Sequence, residues 1–138
     1  MNRPIYETGE DKLNEQKVAE QIVAARPVML QKLPPRHAMD YAAVGDNGIK
    51  FFLEIKCRTF ERAKYPTTMC GMDKVLYARQ VYQHFGVKSF LFVQWTDELA
   101  YVSMNKDCTL AIGGRADRND PQDTGVYAFF AVDEFKGR

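Results

Sequence analysis

The stretch IKFFLEIKCR, residues 49–58, alternates at the period of a β-strand. Ile49, Phe51, Leu53, Ile55 and Cys57 project to one face; Lys50, Phe52, Glu54, Lys56 and Arg58 project to the other. The first set predicts a core face and the second a charged one. Just ahead of it, Gly45-Asp-Asn-Gly48 contains Asn-Gly, the strongest short hairpin signal, so residues 38–44 are expected as an antiparallel partner. Residues 28–32 supply a third strand before Pro34-Pro35.

Outward from this hairpin, residues 10–25 place Leu13, Val18, Ala19, Ile22 and Val23 at helical spacing among Glu, Gln and Lys, and Pro27 ends the run. Residues 73–85 predict a second helix, with Val75, Leu76, Ala78, Val81, Tyr82 and Phe85 available for its apolar stripe and Gly86 as its stop. Phe90-Leu-Phe-Val93 is apolar without alternation, as in a strand covered on both sides. Residues 99–104, 108–112 and 126–132 add further strands. The order is αβββαβ followed by a β-rich tail, an α/β fold with a mixed central sheet. Turn formers crowd residues 113–125, which reads as a loop within one domain spanning 1–138.

Composition narrows the functional classes. The chain has 138 residues, 46% hydrophobic and 27% charged, which is in the globular range, and it has no apolar run near the ~20 residues that span a bilayer. A cytoplasmic protein without membrane partners is expected, since MNRPIYETGEDKLNEQ shows no apolar secretory core. Cys57, Cys70 and Cys108 are odd in number and form no CxxC pair, which argues against a disulfide framework, a zinc ribbon and a four-thiolate cluster. Net charge is +1, but residues 1–96 carry 14 Lys/Arg against 10 Asp/Glu, while residues 97–138 carry 5 against 8. A polyanion is therefore expected on the N-terminal two-thirds.

Four Glu-x-Lys tripeptides occur, at Glu10, Glu15, Glu54 and Glu134. Only Glu54 and Lys56 sit two apart on a predicted strand, where both side chains share a face. Folding back at Gly45–Gly48 brings Asp40 alongside them. Two carboxylates and an amine then converge, with the Ile55 backbone carbonyl nearby, which suits Mg²⁺ or Mn²⁺ with its oxygen ligands, waters and substrate phosphate. Lys56 would favour the hydroxide form of a bound water and offset charge on a phosphate transition state. The other reading of the trio is a solvated strand face with a cross-strand salt bridge. Register sets a condition. A two-residue Asn47-Gly48 turn would put Asp40 opposite Ile55 on the core face, so the site needs a bulge or a three-residue loop.

These residues resemble the PD-(D/E)XK nuclease superfamily, whose pattern is a helix with Glu, a strand with Asp, then Glu-x-Lys on the next strand. Asp40, Glu54 and Lys56 match it, and Glu15 is similar to the helix glutamate of phage and archaeal Holliday junction resolvases. Tyr65-Pro-Thr-Thr-Met, Asp73-Lys74 and Val93-Gln-Trp-Thr-Asp97 also resemble small phage-encoded members. The likeness covers about residues 8–104 and departs at Met39, where the pattern has proline. It implies a restriction-endonuclease-like fold and a Mg²⁺- or Mn²⁺-dependent deoxyribonuclease. In it, Asp40 and Glu54 hold metal, Lys56 acts on water and Glu15 orients metal or water. The alternative is a catalytically silent nucleic-acid-binding or assembly module on the same fold; RNA also stays open as substrate.

Lys74, Arg58, Arg62 and Lys64 are candidate substrate-binding cations, each equally readable as an ordinary surface charge. His37 and His84 lack metal-ligand spacing and read as bystanders. A shape-recognising homodimer is expected, because one small domain leaves no separate sequence-reading module; branched or junction DNA, flaps and linear ends all stay open as its substrate. In the tail, residues 126–132 are expected to extend the central sheet or pack on a second subunit, with Arg115 and Arg118 on a projecting loop that touches substrate.

Overall fold

The computed structural model describes residues 9–114 and 124–138. In chain order the elements are α1 (Gly9–Ala24), β1 (Met29–Lys32), β2 (Tyr41–Gly45), β3 (Gly48–Cys57), β4 (Thr67–Gly71), α2 (Met72–Phe85), β5 (Lys88–Gln94), β6 (Leu99–Ser103), β7 (Thr109–Gly114), β8 (Thr124–Ala131) and β9 (Lys136–Gly137). Six strands form a mixed sheet ordered β1-β2-β3-β5-β6-β9, with β3 and β5 parallel at its centre. Parallel neighbours need a crossover, which β4 and α2 provide. The αβββαβ order is therefore present, with β4 inserted into it. Among the described residues no helix is long and apolar enough to cross a membrane.

Alternation along the central strands fills two cores. Val18, Ala19 and Ile22 of α1 pack with Tyr41, Leu53, Ile55 and Phe92 on one face of the sheet. On the other face Leu91, Val93 and Val102 pack with Val75 and Ala78 of α2 and with Cys70, Ala128 and Phe130. Both faces of β5 are thus covered, as its unbroken apolar run implied. The same holds for the middle of β3, and that corrects the expected charged face: Phe52 packs into the second core and Glu54 is 2% exposed.

On α2 only Val75 and Ala78 are buried, while Leu76, Tyr82 and Phe85, expected on the apolar stripe, are exposed. Gly86 ends the helix as expected, in a left-handed conformation (φ 70°) with its N–H donated to the Tyr82 carbonyl.

The tail departs most from expectation. Residues 126–132 do not extend the central sheet; β8 pairs with β4 on one side and β7 on the other in a separate three-stranded sheet. Thr67–Gly71, unread as a strand in the sequence, is what recruits it. The central sheet gains only β9 at its β6 edge. Arg115 and Arg118 lie outside the described residues. Cys57, Cys70 and Cys108 form no disulfide with one another.

Candidate active site

Asp40 reaches Glu54 because of one extra residue. The hairpin closes with Gly45 opposite Gly48 and Val44 opposite Ile49, but Ala43 faces Phe51, so Lys50 is bulged out. From there Ala42 faces Phe52 and Tyr41 faces Leu53. Asp40, one residue before β2, stays tied to β3: its N–H donates to the Leu53 carbonyl (3.0 Å). Without the bulge the same turn would set Asp40 against Leu53, on the core side. Of the bulge or three-residue loop that the sequence called for, the bulge is present, with the turn one residue earlier than expected. Gly48 begins β3 at φ 104°, a conformation that favours glycine.

Two bonds fix Asp40 between the strands. Its carbonyl accepts from Leu33 N–H at 2.9 Å and its Oδ2 accepts from Ile55 N–H at 2.8 Å. Glu54 Oε2 lies 3.3 Å from Lys56 Nζ and 3.4 Å from Lys74 Nζ. Its Oε1 is buried and has no hydrogen-bond partner among the described residues. Burial pushes the Glu54 carboxyl up from the ordinary 4.5 to about 7; Asp40 adds to the rise, and Lys56 and Lys74 oppose it. Burial by itself would lower the Lys56 ammonium, but Glu54, Cys70 and Asp40 outweigh that and hold it above its ordinary value. Lys56 is therefore a cation at neutral pH and a poor general base. Burial, with Glu54 next, pushes the Cys70 thiol up to about 12, so no thiolate competes with the carboxylates.

The structure brings Asp40, Glu54, Lys56 and Lys74 together. Lys74 was expected to reach toward substrate; instead its ammonium bonds the Ala38 carbonyl at 2.6 Å and pairs with Glu54, inside the site. Glu15 is buried on α1, as its border position predicted, but its Oε2 accepts from Lys32 Nζ at 2.6 Å and from Tyr41 Oη at 3.5 Å. Among the described residues no group of three His, Cys, Asp or Glu side chains is arranged to hold a metal ion, while Lys32 and Tyr41 feel the charges of both Glu15 and Asp40. Lys32 and Tyr41 were missed in the sequence; the available signal was their cross-strand pairing, Lys32 opposite Tyr41.

Arg62 corrects the basic-loop reading. Its guanidinium bonds Glu98 and the carbonyls of Val132 and Phe135, each at 2.8 Å, and lies 5.6 Å over the Trp95 ring. It clasps the C-terminal residues to the sheet through three of its five donors. Lys64 sits over Phe60 and Tyr65 at the surface. Arg58 extends the β3 ladder through its N–H to the Gln94 carbonyl at 2.8 Å, and its side chain has no hydrogen-bond or ion-pair partner among the described residues.

A hard divalent cation takes carboxylate oxygens, and a buried carboxylate oxygen without a donor is costly unless something positive completes it. Glu54 Oε1, with Asp40 beside it, fits such an ion. The profile of the family described as phage putative PDDEXK endonuclease matches residues 1–137. Among solved structures the fold is similar to that of Archaeoglobus fulgidus Hjc, a Holliday junction resolvase from an archaeal hyperthermophile. The TM-score is 0.58 at 10% identity, over 89% of this chain and 84% of that one. No curated protein matches the sequence.

Proposed function

The chain belongs to the family of phage putative PDDEXK endonucleases, and from that premise we propose that it hydrolyses phosphodiester bonds in DNA with Mg²⁺ or Mn²⁺. The single observation that carries this reading is Glu54: buried, with one oxygen shared by two ammonium groups and the other without a hydrogen-bond partner among the described residues. In the proposal Asp40, Glu54 and the Ile55 carbonyl hold the metal. A divalent ion there supplies charge that acidifies water and neutralises phosphate oxygens.

The chain's own residues do the rest. Lys56, kept protonated by Glu54, places a positive charge where the attacking water loses its proton and the phosphate gains charge. Lys74 shares the charge of Glu54 and holds the turn before Asp40. Glu15, locked by Lys32 and Tyr41, orients metal or water from the α1 side. Arg58, whose side chain has no hydrogen-bond or ion-pair partner among the described residues, binds substrate phosphate, with Lys64 further along the loop. Branched DNA is the proposed substrate and a homodimer the proposed assembly; the resolvase activity of the fold neighbour supports the first. A cytoplasmic location belongs to the same proposal.

The test is a gel assay on labelled junction, flap, single-stranded and duplex DNA and on duplex RNA, with Mg²⁺, Mn²⁺ or EDTA. Cleavage of a DNA substrate with metal and none with EDTA is expected, with the junction or flap cut fastest. Binding without cleavage under every condition would overturn it and leave a silent nucleic-acid-binding module on this fold.

A further inference from the structure

The segment Pro34-Pro-Arg-His-Ala-Met39 leads into Asp40 and carries no regular strand or helix. His37 is bonded here through both its backbone and its side chain. The His37 N–H donates to the Pro34 carbonyl at 2.9 Å, closing a turn, and the Met39 N–H donates to His37 Nδ1 at 3.0 Å. An Nδ1 that accepts must be bare, so the neutral ring carries its proton on Nε2. Nε2 lies 3.2 Å from Tyr77 Oη on α2 and can donate to it. The ring is also wedged between Phe52, stacked at 6.1 Å, and Tyr77, edge-on at 5.2 Å.

Both residues before Asp40 are thereby held. Ala38 is held at its carbonyl by Lys74, and Met39 at its N–H by His37, while the Met39 side chain is buried in the core. A proline at position 39 would have no N–H to satisfy. Methionine has one, pointed away from any strand partner, and His37 supplies its acceptor.

We propose that His37 and Tyr77 are positioning residues: together they brace the turn from α2 so that the Asp40 carboxylate stays against the Ile55 N–H. His37, which the sequence left as a bystander, acts through Met39 and not on substrate. The bond from a side chain to the N–H two residues on is one that asparagine also makes, so His37→Asn is the conservative variant and His37→Ala the disabling one. The functional consequence rests on Asp40 being a metal ligand, as proposed above.

The test reads the Ile55 amide directly, by hydrogen exchange followed by NMR on the metal-free full chain, beside calorimetric titration with Mn²⁺. Loss of one hydrogen bond predicts exchange at Ile55 about fivefold faster or more in His37→Ala, with Leu91 and Val93 of β5 unchanged. Mn²⁺ affinity should fall by a similar factor. His37→Asn should restore most of both. Tyr77→Phe, which removes one oxygen and keeps the ring, should give a smaller shift of the same kind and serves if His37→Ala does not fold. Faster exchange at Ile55 with unchanged Mn²⁺ affinity would uphold the brace and remove Asp40 as a ligand. Unchanged exchange at Ile55 in Tyr77→Phe and His37→Ala, or equal acceleration at Ile55, Leu91 and Val93, would overturn the brace itself.

Discussion

Glu54 is a carboxyl that the fold holds at a cost. Its pKa in the fold, about 7, lies above the ordinary 4.5 because it is buried, so between those values the folded chain keeps a proton that the unfolded chain has released. The contribution of Glu54 to stability must then fall as pH rises from about 4.5 to 7 and stay lowered above that. For the metal-free protein, Glu54→Gln is expected to match the parent near pH 4 and to exceed it by up to about 3 kcal/mol at pH 8. Urea denaturation of both proteins at the two pH values checks this; a stability difference between variant and parent that does not grow from about pH 4 to about pH 8 would contradict it. Period-2 spacing made Glu54 and Lys56 legible in the sequence, and the Gly45–Gly48 turn made Asp40 legible. Lys74 was legible as a substrate-binding cation but not as a partner of Glu54, and Cys70 was not readable as a neighbour of the trio, because each reaches it from another element. Only tertiary packing decides that α2 lies over this part of β3.

At the scale of elements, the hairpin shows how a one-residue irregularity does chemical work. The turn and a regular ladder would give Asp40 to the wrong face, and Lys50, by bulging, moves it to Glu54. The sequence required such a device without locating it, since any of several residues near the two glycines can bulge. Gly48 is the position that a side chain would strain, at φ 104° with open space where a Cβ would stand. Gly48→Ala is therefore expected to cost about 1–2 kcal/mol by conformation alone. Equilibrium unfolding measures it, and a neutral substitution would mean that the turn relaxes freely. Thr67–Gly71 was illegible for a different reason: five residues with one buried alternation, TTMCG, carry little strand signal until β8 pairs with them.

At the scale of the whole molecule, the tail is structural. Ala128, Phe130, Val132 and Phe135 complete the core beneath α2, and β9 closes the central sheet at β6. Arg62 ties this tail to the loop that leaves β3. Arg62→Ala should lower unfolding stability by about 2 kcal/mol, as the loss of charge-assisted hydrogen bonds implies. A thermal melt reads this, and an unchanged melt with weakened DNA binding would return Arg62 to the role the sequence first suggested. The central claim is that Asp40, Glu54 and Lys56 form a metal-dependent nuclease site, with Lys56 acting in the transition state. Its most direct test is cleavage of labelled junction DNA in Mg²⁺ by the parent and by Lys56→Ala, with binding measured on the same preparations in EDTA. The account predicts that Lys56→Ala binds DNA about as the parent does and cleaves it at least about a hundredfold more slowly; equal cleavage rates would contradict it.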